Sequence, residues 1–251
     1  MLGKPGVILE TVCVLLAGGL PTASAAMPDA VEILRKSDEV RNPQLDYTMR
    51  VTITSTKPGK KPRTGTYAVM VKGKDKTVIK TLSPISDRGR ILLMRENDLW
   101  AFLPQASKPL RISLRERLLG DVANGDLARA NFSGDYDPRL LKPESLEGKE
   151  CYVLELTAIS GDVTYAKVVL WVQTGTFQPL RAEFYAISGR LLKTCVYEGY
   201  AKVADRLRPT RLVMTDALNR QQQSVLDYEG VTVAPLAEKY FTKDYLKKLG
   251  E

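Results

Sequence analysis

From Leu45 onward apolar and polar side chains alternate, with Tyr47, Met49, Val51 and Ile53 set between Asp46, Thr48, Arg50, Thr52 and Thr54. A period of two puts the first set on one face and predicts a strand wetted on the other. Lys57-Pro58-Gly59-Lys60 supplies a turn, Tyr67, Val69 and Val71 resume the alternation, Lys72-Gly73-Lys74-Asp75 closes it, and Thr77 to Ser83 makes a third strand. The same pattern predicts strands over 90–95, 99–103 and 110–113, then over 151–159, 165–173, 180–187, 191–200, 207–216 and 222–228. Connections such as Ser160-Gly161-Asp162, Thr174-Gly175-Thr176 and Ser188-Gly189-Arg190 are turn-like. About a dozen short strands joined by hairpins predict one antiparallel meander, which must curl at that width.

Three stretches depart from this period. Asp29 to Arg41 spaces Val31, Ile33, Leu34 and Val40 among charges, predicting an amphipathic helix capped by Asp29. Leu114 to Leu141 holds Gly120, Gly125, Gly134 and Pro138 without alternation, predicting short helices and loops. Lys239 to Leu249 predicts a basic tail helix with Tyr240, Phe241, Tyr245 and Leu246 able to dock. The expected inner face comprises Tyr47, Met49, Val51, Ile53, Tyr67, Val69, Val71, Trp100, Phe102, Tyr152, Leu154, Leu156, Val168, Leu170 and Val172. It exceeds the cover these stretches visibly supply. A part-covered apolar concavity suits an acyl chain, since each methylene removed from water is worth roughly 0.8 kcal/mol and no directional chemistry is required. The same alternation equally describes a packed sheet core.

The first residues add a compartment. Lys4, an apolar run from Val12 to Leu20, Pro21 and Ala23-Ser24-Ala25 read as a secretory signal peptide cleaved near Ala25. Residues 26–251 are then a single exported domain, without Cys13. The chain of 251 residues contains no His, which excludes imidazole-dependent nucleophiles and His-ligated zinc within it. The formal charge is +8, gathered at Lys57 to Arg63, Lys72 to Lys76, Arg111 to Arg117 and Lys243 to Lys248, which allows transient contact with an anionic membrane. Nucleic acid fits that sign but not the export signal. Asp135 and Asp137, between Gly134 and Pro138, are expected in a solvated turn, and no cofactor motif is present. In a meander the strands of Cys151 and Cys195 are three steps apart, about 14 Å at roughly 4.8 Å per step, so two free thiols are expected.

At Leu99-Trp100-Ala101-Phe102-Leu103-Pro104 and Arg111-Ile112-Ser113 the chain resembles the outer-membrane lipoprotein-sorting protein family, relatives of the carrier LolA and the receptor LolB. The likeness continues through Gly125-Asp126-Leu127, Cys151 to Leu156, Lys167 to Val172, Gln178 to Tyr185, Ser188 to Lys193, Arg208 to Arg211 and Phe241-Thr242. It implies a mainly β (α+β) fold, an incomplete antiparallel β-barrel (half-barrel) with a helical lid, and a non-catalytic, monomeric periplasmic carrier of lipoproteins or other lipids. It further implies an inner-membrane exporter of the RND or ABC type as partner. An alternative is the lipid-sensing module of an envelope-stress regulator, which would carry a further domain. No arginine matches the family's lid-latching arginine; Arg50 falls on the wet face by period.

Overall fold

In the computed structural model, which describes residues 1–3, 28–42, 44–106, 108–129 and 131–249, the alternating stretches join in one sheet. The proposed signal peptide, beyond its first three residues, lies outside the described residues. Helix α1 (Ala30–Arg41) starts where Asp29 accepts the Glu32 amide at 2.7 Å. Strands β1 (Tyr47–Lys57), β2 (Lys60–Lys72), β3 (Lys76–Ser83), β4 (Ile91–Arg95), β5 (Asp98–Phe102) and β6 (Leu110–Ile112) follow as antiparallel neighbours. The chain then leaves the sheet as a hairpin, β7 (Arg117–Leu119) and β8 (Val122–Ala123), and helix α2 (Asn124–Ala128).

Strands β9 (Tyr136–Leu140) and β10 (Glu144–Leu146) share one edge of β11 (Lys149–Ala158). Next in the sheet come β12 (Lys167–Gln173), β13 (Pro179–Tyr185) and β14 (Leu191–Glu198), and the hairpin β15 (Ala201–Val203) and β16 (Arg206–Arg208) stands apart. Strands β17 (Arg211–Asp216) and β18 (Gln223–Val233) complete the sheet, with β18 pairing against β1 so that the two halves become one 14-stranded surface. Its ends, β6 on one side and β9 with β10 on the other, do not meet, so the barrel is incomplete.

The strand expected over 207–216 is two. Ala204 and Asp205, at φ 47 and 60, form a tight hairpin turn, and Pro209 lacks the N–H a continuing ladder needs.

Packing separates the two faces. The main core lies on the concave face, where α1 (Ile33, Leu34) and the 114–141 segment (Leu114, Leu119, Val122, Leu127, Phe132, Tyr136) cover the strands. On the opposite face Phe241 and Leu246 pack on Val78, Ile91, Leu93 and Phe102, so the tail docks there. A third cluster on β11–β13 holds Cys151, Val153, Val169, Trp171 and Leu180. Cys151 and Cys195 are both free and buried, three strands apart and in clusters on different faces of the sheet.

Candidate functional site

Of the residues expected inward, Tyr47, Val51, Ile53, Tyr67, Val69, Val71, Leu154, Leu156 and Leu170 lie in the concave core, with Met49 packed against it. Trp100 and Phe102 do not. Their place is in the opposite cluster, with Phe241, and the inward residues of β5 are Leu99 and Ala101. The cause is that β5 is apolar on both faces, so its period does not say which face is inside, and the larger aromatic pair meets the tail. Met70 likewise faces the tail, whereas Met94 is in the concave core.

The concave face is closed. Val51, Ile53, Leu154, Leu156 and Leu170 are all 0% exposed beneath the lid. Where the pattern predicts an open hollow, buried side chains fill the face, and two small cavities lie at the lid seam. One, about 70 Å³, is lined by Tyr47, Met49, Val71, Leu127, Tyr228 and Val231 with Arg41 and Arg208 at its polar side. The other, about 30 Å³, lies between Phe132, Tyr136, Phe184, Tyr197 and Met214. The larger is about half the roughly 150 Å³ that holds a benzene, so an acyl chain enters only if the lid yields. Periodicity missed this cover because the 114–141 segment packs its apolar side chains without any regular spacing.

What fastens the lid is polar. Asp38, at 3% exposure, accepts the amides of Phe132 (3.0 Å) and Ser133 (2.7 Å) and pairs with Arg41 at 3.0 Å, tying α1 to the loop after α2. The Arg41 guanidinium lies over the rings of Phe132 (3.9 Å) and Tyr197 (5.7 Å), and Arg41 lines both cavities. Arg208 on β16 donates to the Val40 carbonyl at 3.0 Å and to that of Glu39, satisfying the last carbonyls of α1 with a cation.

Helix α2 is fastened from below. Lys193 on β14, 5% exposed, pairs with Asp126, 4% exposed, and donates to the Asp121 carbonyl at 2.6 Å. Asp126 also accepts from the Tyr165 hydroxyl at 2.6 Å and the Ala123 amide at 2.7 Å. Burial raises the Tyr165 hydroxyl well above its ordinary range, and Asp126 adds to the effect, so the proton stays on Tyr165 as donor. Asp135, expected in a solvated turn, is instead buried and paired with Arg129, which reaches Asn97 at 3.0 Å. Asp137 is exposed.

Sequence reasoning missed Asp38, Arg41 and Lys193 because nothing in a charged residue's spacing tells that it is buried. Asp126, Lys193 and Arg208 did stand in segments that carry the family resemblance. Among the described residues, no group of three or more His, Cys, Asp or Glu is placed to hold a metal ion.

Residues 73–248 match a family model described as "Uncharacterized protein". No curated protein matches the chain. Among solved structures, the chain is similar to the LolA superfamily protein NE2245 of Nitrosomonas europaea. The identity is 47%, over 87% of this chain and 99% of that one, and the TM-score is 0.83. It shares its fold with a DUF1329 family protein of Desulfovibrio piger at 24% identity, covering 86% of this chain and 97% of that one, TM-score 0.76. It also shares its fold with a domain from Vibrio parahaemolyticus described as an outer membrane lipoprotein-sorting protein, at 23% identity, 87% and 98% coverage and TM-score 0.74. On its identity to the Nitrosomonas protein over nearly the whole of both chains, this chain belongs to the LolA superfamily.

Proposed function

We propose that the protein is a non-catalytic periplasmic carrier that holds the acyl chains of a lipoprotein or another lipid against the concave face. The observation that carries this reading is the lid. A 14-stranded sheet curls around an apolar face whose cover is fastened through a few buried polar ties at Asp38, Arg41, Lys193 and Arg208.

The energetics permit the exchange. An acyl chain laid against this face returns roughly 0.8 kcal/mol for each methylene it buries, which offsets the apolar lid surface uncovered when it enters. The residues proposed to receive the chain are Tyr47, Met49 and Val71 at the cavity, then Val51, Ile53, Tyr67, Val69, Leu154, Leu156 and Leu170 along the floor. An inner-membrane exporter would supply the cargo, and differential affinity for the open lid would drive loading and release.

Fluorescent fatty-acyl probe uptake tests the proposal, together with mass spectrometry of protein purified gently from its own periplasm. Bound lipid and saturable uptake are expected, with faster uptake in Arg41→Ala, which frees α1 from Phe132 and Tyr197. A protein that carries no lipid and takes up no probe, in native form and as Arg41→Ala, overturns it.

A further inference from the structure

Two of the basic runs in the sequence meet in space. The tip of the β1–β2 hairpin brings Lys57, Lys60, Lys61 and Arg63 to one end of the sheet, and β7 brings Arg117 against them around a cleft of about 280 Å³. Among the described residues no carboxylate lines this cleft. Among the described residues none of the five cations forms an ion pair or a side-chain hydrogen bond, although the protein has carboxylates enough to pair many of its other cations. Lys60, Lys61, Arg63 and Arg117 are exposed. Leaving five like charges together costs self-repulsion that no ion pair among the described residues relieves.

The cleft is also built. The β7–β8 hairpin that carries Arg117 is seated on the sheet at Gly120, where an added Cβ would stand 2.3 Å from the Ser55 Oγ and 2.5 Å from that of Ser224. The Asp121 amide donates to Ser224 Oγ at 3.0 Å. Arg117 is therefore held opposite the hairpin tip. The floor is apolar, since Leu119 belongs to the concave core and Leu118 packs on it. On the far side of Arg117 a second cleft, of about 270 Å³, mixes Arg115, Arg190 and Lys193 with Asp121 and Asp216, so the acid-free cleft is the strongly positive one.

We infer that this cleft docks the protein on an anionic bilayer by engaging the phosphates of lipid headgroups. Cations at the rim above an apolar floor match a headgroup above its acyl chains, and a row of membrane phosphates supplies the counter-charge that the protein omits. The inference extends the carrier reading by giving the end of the half-barrel that faces a membrane, but it rests on charge and geometry that do not depend on acyl uptake.

The test is co-sedimentation of the full mature protein with vesicles of phosphatidylcholine containing about a third phosphatidylglycerol, against phosphatidylcholine alone. With each cation near such a surface worth about fivefold, Lys60→Gln/Lys61→Gln/Arg63→Gln is expected to weaken binding to the anionic vesicles roughly a hundredfold. Removing the same charge at the exposed Lys142, Lys149 and Lys202 should change it far less. Unchanged thermal unfolding of the triple variant shows that it folds. Glycerol phosphate at millimolar concentration should leave vesicle binding almost intact; full competition by it would assign the cleft to a soluble phosphate instead and overturn docking. Equal binding to both vesicle types, undiminished binding of the triple variant, or no binding to anionic vesicles overturns it too, the last leaving an acidic protein surface as the counterpart. Acyl uptake without vesicle binding rejects docking alone, and vesicle binding without acyl uptake rejects the carrier reading alone.

Discussion

Lys193 and Asp126 are the residues on which the lid most depends, because both are charged, nearly fully buried and matched to each other. Removing one partner strands the other in a medium that solvates it poorly. Lys193→Met is therefore expected to cost about 3–5 kcal/mol, measured by urea unfolding, far more than the loss of an exposed pair such as Lys202–Asp205. The two cysteines are the converse, neutral and inert by burial. The Cys195 thiol is pushed up to about 12, chiefly by burial, and the Cys151 thiol is raised for the same reason. Native protein should resist thiol labelling at both, and denatured, non-reduced protein should label at both. A denatured protein with neither thiol reactive would contradict the strand order.

At the level of elements, two fastenings of the tail, one polar and one apolar, can be separated. Asp46, at the start of β1, accepts from Lys72 (2.8 Å) and from the amides of Gly73 (3.3 Å) and Leu236 (3.0 Å), so it holds the end of β2 and the chain leading to helix α3 (Lys243–Leu249). The Lys72 hydrogen bond holds its carboxyl below the usual range. A lowered folded pKa means that the contribution to stability is complete above the unfolded value near 4 and is lost as pH falls through the folded one. Asp46→Asn should cost about 1 kcal/mol at neutral pH and flatten the fall in stability on acidification, as read by chemical unfolding at several pH values. Phe241→Ala empties the tail's anchor on the far face and should cost about 3–5 kcal/mol, while acyl-probe uptake by the folded fraction stays unchanged. Loss of uptake there would place the binding surface on the wrong side of the sheet.

Considered whole, the molecule is an unclosed barrel whose concave side is roofed and whose convex side is partly buttressed by its own tail. β1 to β6 form one meander, β10 to β14 with β17 and β18 form another, and the pairing of β18 with β1 makes a single curved surface of them. That closure lets one helix from the start of the chain and one segment from its middle cover the same face. The lid thus joins parts about ninety residues apart, as in the contact of Asp38 with Phe132 and Ser133.

Much of this was legible in order of residues. Alternation at Tyr47–Ile53 and Tyr67–Val71, the turns that follow, Asp29 as a cap and the three-step spacing of the cysteines all follow from local geometry, because a strand's period and a turn's backbone demands are properties of a few consecutive residues. What neighbours in sequence do not contain is volume and pairing. Trp100 and Phe102 turned outward because a tail more than a hundred residues later packs on them, and the expected hollow filled because Leu114 to Tyr136 folds over it without a period. Nothing in the spacing of Lys193 and Arg41 marks them as buried; the folded lid does, by placing Asp126 against one and Phe132 against the other. Sequence by itself determined the long strands, the first helix and that they make an open antiparallel sheet; only the tertiary structure decided the short strands of 117–146 and 201–208, which face is covered, by what, and which charges hold the cover down, because burial and pairing are set by groups that meet only once the chain has folded.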